Sequence, residues 1–151
     1  MKKINSDISF DDNNFKIKVG TVDKKNPTTI YLNIGTYVTP IDETINLKIE
    51  IEALKKSITK DVGKIVEKSD ILQNQHIFVT DIASDRLAYG KKSYLEMSLY
   101  VKPELSIIKS CNNNFRNVAS LFYECNINNI VQDVETNIKK CGFAYAKSKK
   151  E

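Results

Sequence analysis

The sequence predicts an α+β fold: a five-stranded antiparallel sheet in the order β-β-β-α-β-β, followed by a pair or trio of helices. Three observations predict it. Apolar and polar residues alternate in five short segments, the period of a half-buried strand. Apolar residues recur every three or four positions in 52–68 and again after Pro103, the period of an amphipathic helix. Clusters of Asp, Asn, Gly and Pro separate these segments, where the chain must turn.

Taken in order, residues 1–13 read as a polar lead-in, with Asp7, Asp11 and Asp12 around little apolar material. A β-rich core then spans 14–103. Phe15, Ile17 and Val19 alternate with Lys16, Lys18 and Gly20 as the first strand, and Asp23 to Pro27 supply the turn. The second strand runs over 28–39 with Ile30, Leu32, Ile34 and Val38 on one face. After Pro40, the alternation of Ile45, Leu47, Ile49 and Ile51 predicts a third strand. Leu54, Ile58, Val62, Ile65 and Val66 predict a helix over 52–68, in which Gly63 costs about 1 kcal/mol against Ala. Segments 75–82 and 93–102 read as the fourth and fifth strands, and Pro103 ends the last. Residues 104–146 are helical in period, with Gly142 placed as a C-terminal cap and Phe143 as its apolar contact, and 147–151 form a charged tail.

Three strands, a helix and two strands is an order that resembles the OB-fold, a five-stranded barrel, over roughly residues 14–102. The resemblance rests on element order and implies a closed, OB-like barrel that presents one strand face to a ligand.

Composition excludes several classes. With 151 residues, 41% hydrophobic, 28% charged, 5 Gly and 3 Pro, the chain has enough material for one ordinary globular domain and is neither collagen-like nor disordered. No stretch approaches the ~20 apolar residues that span a bilayer, and Met1-Lys2-Lys3 leads into Asn5-Ser6-Asp7 rather than an apolar signal core. The expectation is a protein with no membrane role, cytoplasmic or carried in a virion if viral. The net charge of +4 is mild. Of 23 cationic residues only Arg86 and Arg116 are Arg, and Ile and Asn are abundant, the composition that AT-rich codons produce. The lysine excess is therefore no statement about phosphate.

Reactive machinery is scarce in the sequence. Cys111, Cys125 and Cys141 form no CxxC pair, which argues against a disulfide framework or a zinc knuckle, and free thiols in an apolar-rich segment read as small buried hydrophobes. The single imidazole, His76, has no local nucleophile signature. Gly90-Lys91 lacks the flanking residues of a phosphate-binding loop, with Asp85 and Lys92 where Gly and Ser or Thr are required. Asp81 and Asp85 read as turn-capping carboxylates. No catalytic residue, metal ligand or cofactor site is predicted, and the protein is read as a non-enzyme.

What stands out is the polar face of the strands. Opposite Ile30, Leu32, Ile34 and Val38 lie Tyr31, Asn33, Gly35 and Tyr37, and the fifth strand repeats the theme with Tyr94 and Tyr100. Lys16 and Lys18 share that face, while Lys24 and Lys25 in one loop and Arg86, Tyr89, Lys91 and Lys92 in another would flank it. Aromatic planes beside ammonium groups suit single-stranded nucleic acid, because every base has a π-face and every nucleotide a phosphate. The same residues suit a protein interface, where Tyr is enriched, or a sheet face lying beneath the C-terminal helices. A row of Lys56, Lys60, Lys64 and Lys68 on the helix reads as a solvated face. The expected function is a non-enzymatic binding protein for single-stranded nucleic acid. The alternatives are an assembly subunit of a virion or other complex, with a homo-oligomer among the possibilities, and a small regulator docking a host enzyme.

Overall fold

The structure is a computed structural model and describes residues 6–11, 14–42, 44, 46–73, 78–87 and 93–146. Five antiparallel strands form the sheet: β1 (Ser6–Asp11), β2 (Lys16–Thr21), β3 (Ile30–Pro40), β4 (Phe78–Leu87) and β5 (Ser93–Val101). Their spatial order is β1-β2-β3-β5-β4. The helices are α1 (Leu47–Glu67), α2 (Leu105–Ser110), α3 (Phe115–Phe122) and α4 (Asn128–Lys140), with a π-helical turn, Tyr123–Ile127, between the last two. A short sixth strand, β6 (Phe143–Tyr145), pairs with β3 at Val38–Pro40. Because Val38 also pairs with Ser93 of β5, β6 lies on the opposite side of β3 and prolongs the row begun by β2.

The alternation of the strands decides the layers. Ile17, Val19, Ile30, Leu32, Ile34, Val38, Leu95, Met97, Leu99 and Val101 point one way and are buried. Against them pack Ile51, Leu54, Ile58, Val62 and Val66 of α1, Val118 and Phe122 of α3, and Ile130, Val134 and Ile138 of α4. Ile58 and Val134 meet Phe15, Ile34, Leu95 and Met97 around a void of about 10 Å³. Each such aliphatic side chain, taken out of water, contributes about 1.5–3 kcal/mol. The helices thus cover one face of the sheet and leave the other open, as antiparallel sheets allow.

Four expectations are corrected. The sheet is open, not a closed OB-like barrel: β1 and β4 stand at its two ends, and among the described residues no pairing joins them. The lead-in carries a strand, because Ile8 and Phe10 alternate toward the core and the Phe10 ring stacks on Tyr123 with centroids 4.3 Å apart. The expected third strand belongs to the helix, which starts at Leu47 with the Asn46 side chain accepting from the Ile49 N–H at 3.3 Å. Ile49, a member of the alternating set, is 60% exposed, whereas Ile51 joins Leu54, Ile58, Val62 and Val66 on the buried stripe. A capping Asn and a stripe that continues for four turns outweigh the strand preference of Ile. The fourth strand begins at Phe78 and runs to Leu87, so Arg86 lies in a strand rather than a loop.

The C-terminal reading fares better. Gly142 adopts φ +88°, and its N–H donates to the Lys139 carbonyl at 3.1 Å, the geometry of a left-handed helix cap, while Phe143 is fully buried.

Candidate functional site

The open face of the sheet is built row by row from the pairing register. One row runs Gly20, Tyr31, Tyr100; the next Lys18, Asn33, Ser98; the next Lys16, Gly35, Glu96; and Tyr37 stands opposite Tyr94. The register places Ser9 beside Lys18, Asp11 beside Lys16 and Asp81 beside Ser98. The four tyrosines therefore form two cross-strand pairs. Tyr31 and Tyr100 have ring centroids 5.1 Å apart and tilted by 57°, and Tyr37 and Tyr94 are 4.8 Å apart at 54°. Such pairs contribute about 0.5–1.5 kcal/mol beyond their burial.

Between the pairs the face is polar and internally bonded. Asn33 donates through Nδ2 to Tyr31 Oη at 3.2 Å and to Ser98 Oγ at 3.0 Å, and those two hydroxyl oxygens lie 3.2 Å apart. Gly35 leaves room for a ring above it. A Cβ there would meet Tyr94 Oη at 1.9 Å, so the phenol lies directly over the glycine and fills the space between Lys16 and Glu96.

The rings are half-exposed and lie on the face away from the helices. Tyr31, Tyr37 and Tyr94 are half-buried by one another and by the strands, and Tyr100 is 40% exposed. Lys16 and Lys18 are exposed one strand away. With centroids near 5 Å, neither pair leaves a slot for an inserted base, so a base would have to stack on an outer ring surface, of which Tyr100 offers the most. The charge on this face is mixed, since Glu96 shares it with Lys16 and Lys18.

Lys24 and Lys25 sit in the exposed turn beyond Tyr31, where the Lys25 N–H donates to Asp23 Oδ1 at 2.9 Å and Thr21 Oγ1 donates to the Thr29 carbonyl at 2.8 Å. The β4–β5 connection leaves from the Val38 end of β3, about eight residues or roughly 25 Å along the strand. Of the residues predicted for the second loop, Arg86 lies in β4, and Tyr89, Lys91 and Lys92 lie outside the described residues, as does His76.

Sequence reasoning missed a second concavity, a cleft of about 550 Å³ between the C-terminal end of α1 and the π-helical turn. Its key residue is Asn126, only 2% exposed, whose Oδ1 accepts from Ser69 Oγ at 3.1 Å while Ser69 Oγ also accepts from the Ile71 N–H. The π turn is what brings Asn126 inward. Phe122 and Ile127 are both buried yet five residues apart, and the wide turn, closed by the Asn128 N–H on the Tyr123 carbonyl, absorbs the extra residue. A five-residue gap in an otherwise three-and-four apolar stripe was the available signal. Cys125, on the same turn, is exposed, which corrects its reading as a buried hydrophobe; Cys111 and Cys141 are partly buried, and burial pushes the Cys141 thiol above its ordinary range.

A buried polar link ties α1 to α4 beside this cleft. Asn137, 1% exposed, accepts from Ser57 Oγ and donates through Nδ2 to Asp61 Oδ2 and to the Asp133 carbonyl, both at 2.8 Å. Among the described residues, no group of three or more His, Cys, Asp or Glu side chains is placed to hold a metal ion. No helix among them is long and apolar enough to cross a membrane.

Fold and faces together define, among the described residues, a two-layer α+β protein with one sheet face that no helix covers. No protein-family model, curated protein or solved structure matches the chain.

Proposed function

We propose that this is a non-enzymatic docking protein that binds another protein surface, a second copy of itself included, through the open face of β3 and β5. The observation that carries the reading is the pair of half-exposed tyrosine couples on the face away from the helices. Tyr combines a large apolar ring with a polar tip and loses little side-chain freedom on binding, which is why interfaces favour it. The mixed charges of Lys16, Lys18 and Glu96 suit a partner with both signs, and two copies related by a two-fold axis can satisfy that condition.

Exposed Lys16 and Lys18 beside Tyr31 and Tyr100 support a second reading, single-stranded nucleic acid laid across the same face. Size-exclusion chromatography with light scattering, with and without an oligo-dT strand, separates the two. The docking reading expects a mass above the monomer, or a stable complex with a protein partner, lost on Tyr100→Ala and nearly indifferent to salt. The nucleic-acid reading expects a monomer that binds the oligonucleotide with a log-log salt slope of about −0.7 per phosphate contact. One-to-one capture of a foreign protein by a monomeric chain is the form of docking that a small regulator would show.

A further inference from the structure

The cleft beside the π turn is distinct from the sheet face, and its walls have a definite chemistry. One wall is Lys68, Ser69 and Asp70 at the end of α1; the other is Asn126, Asn129, Gln132 and Asp133, with Ile65 and Ile71 contributing apolar surface. Among the described residues, only one end of the buried Asn126 carboxamide is satisfied, by Ser69. Among the described residues no hydrogen bond engages the other end, and it is not sealed from the cleft. That end keeps access to the cleft, where a ligand or water can meet it.

We propose that this cleft binds a small zwitterion of the α-amino-acid class, either free or as a short peptide, with its main-chain groups on Asn126, its carboxylate toward Lys68 and its ammonium toward Asp70 and Asp133. The charges decide the class. A phosphodiester or other polyanion would meet two carboxylates and a single lysine, and a simple cation would meet Lys68. Only a ligand carrying both signs close together matches walls that carry both, and the carboxamides supply the paired donors and acceptors that an amino-acid backbone needs. Burial, and to a lesser degree the neighbouring Asp61, hold the Asp133 carboxyl above its ordinary range. A ligand ammonium would relieve that crowding. The volume of about 550 Å³ lies within the range of small-molecule sites.

Isothermal titration of the full chain with each of the twenty free L-amino acids, and with glycine-capped dipeptides, tests the proposal and distinguishes the free from the peptide form. For any hit, the N-acetyl derivative keeps only the carboxylate and the C-terminal amide keeps only the ammonium. The expected result is saturable binding of at least one zwitterion, weakened about tenfold or more by either derivative and by Lys68→Ala. Lys68 is exposed, so that variant folds. Asn126→Leu keeps the buried volume while removing the carboxamide, and Gln132→Ala at an exposed position serves as a second probe should the former fail to fold. Absence of binding by every amino acid and dipeptide at millimolar concentration overturns the proposal. So does binding that survives loss of either ligand charge, or that persists unchanged in both Lys68→Ala and Gln132→Ala.

Discussion

Replacing Gly35 by Ala perturbs the candidate interface without removing any of its side chains. The new Cβ would lie 1.9 Å from Tyr94 Oη and 2.6 Å from Cζ, whereas ordinary contact begins near 3.4 Å. The phenol must therefore withdraw by about 1.5 Å, the difference between 1.9 and 3.4 Å. Withdrawal breaks the Tyr37–Tyr94 pair, a loss of about 0.5–1.5 kcal/mol. Ala in place of Gly in a strand recovers about 0.5–1 kcal/mol of backbone entropy, so the two terms nearly cancel. Thermal unfolding of Gly35→Ala should stay within a few degrees of the parent, while ring-to-ring contacts between Tyr37 and Tyr94, read by nuclear Overhauser effects, disappear and self-association or partner capture weakens. A ring pair that survives unchanged would refute the placement of Tyr94 over Gly35. A large fall in melting temperature would show that Gly35 supports the core rather than the face, and full retention of binding would remove this end of the face from the interface.

Further predictions follow from the helices. Ile49→Lys should change stability by no more than about 0.5 kcal/mol, whereas Ile51→Ala should cost about 2–5 kcal/mol in chemical denaturation; equal costs would restore the strand reading of this segment. Gly63→Ala should stabilise by about 1 kcal/mol and raise the melting temperature by about 2–4 °C, since nothing lies within 4 Å of the added methyl; a fall would reveal a neighbour at that position. Asp133 binds its proton more readily in the folded chain than in the unfolded one, because burial and then Asp61 raise it from 3.8. Its contribution to stability is therefore fully present below 3.8 and is lost as pH rises through the higher native value. Asp133→Asn should gain on the parent protein above that window and converge with it in acid; a melting-temperature difference independent of pH contradicts the assignment.

Much of the sheet was legible because its signal is local. Ile17, Val19, Leu32, Ile34, Met97 and Leu99 alternate strictly, a two-residue period places them on one face whatever the rest of the chain does, and all are buried. The helical period after Pro103 and the cap at Gly142 were legible for the same reason. The segment 45–51 was not, because four alternating apolar residues satisfy a strand while Ile51 alone extends the helix stripe, and only packing against the core reveals that Ile49 faces water. Asn126 was hidden by a helix defect rather than a motif, and the register between β1 and β2 was hidden because Ile8 and Phe10 offer only two apolar positions.

The sequence by itself determined which residues are apolar on which period, and so an α+β chain with a tyrosine-bearing strand face and no recognisable catalytic motif. Tertiary structure alone decided that the sheet stays open and that Tyr31 meets Tyr100 and Tyr37 meets Tyr94. The physical reason is separation along the chain. Periodicity is fixed by the backbone over a few residues, whereas strand order and cross-strand register depend on contacts between segments more than sixty residues apart, such as Tyr31 with Ser98, which no local pattern encodes.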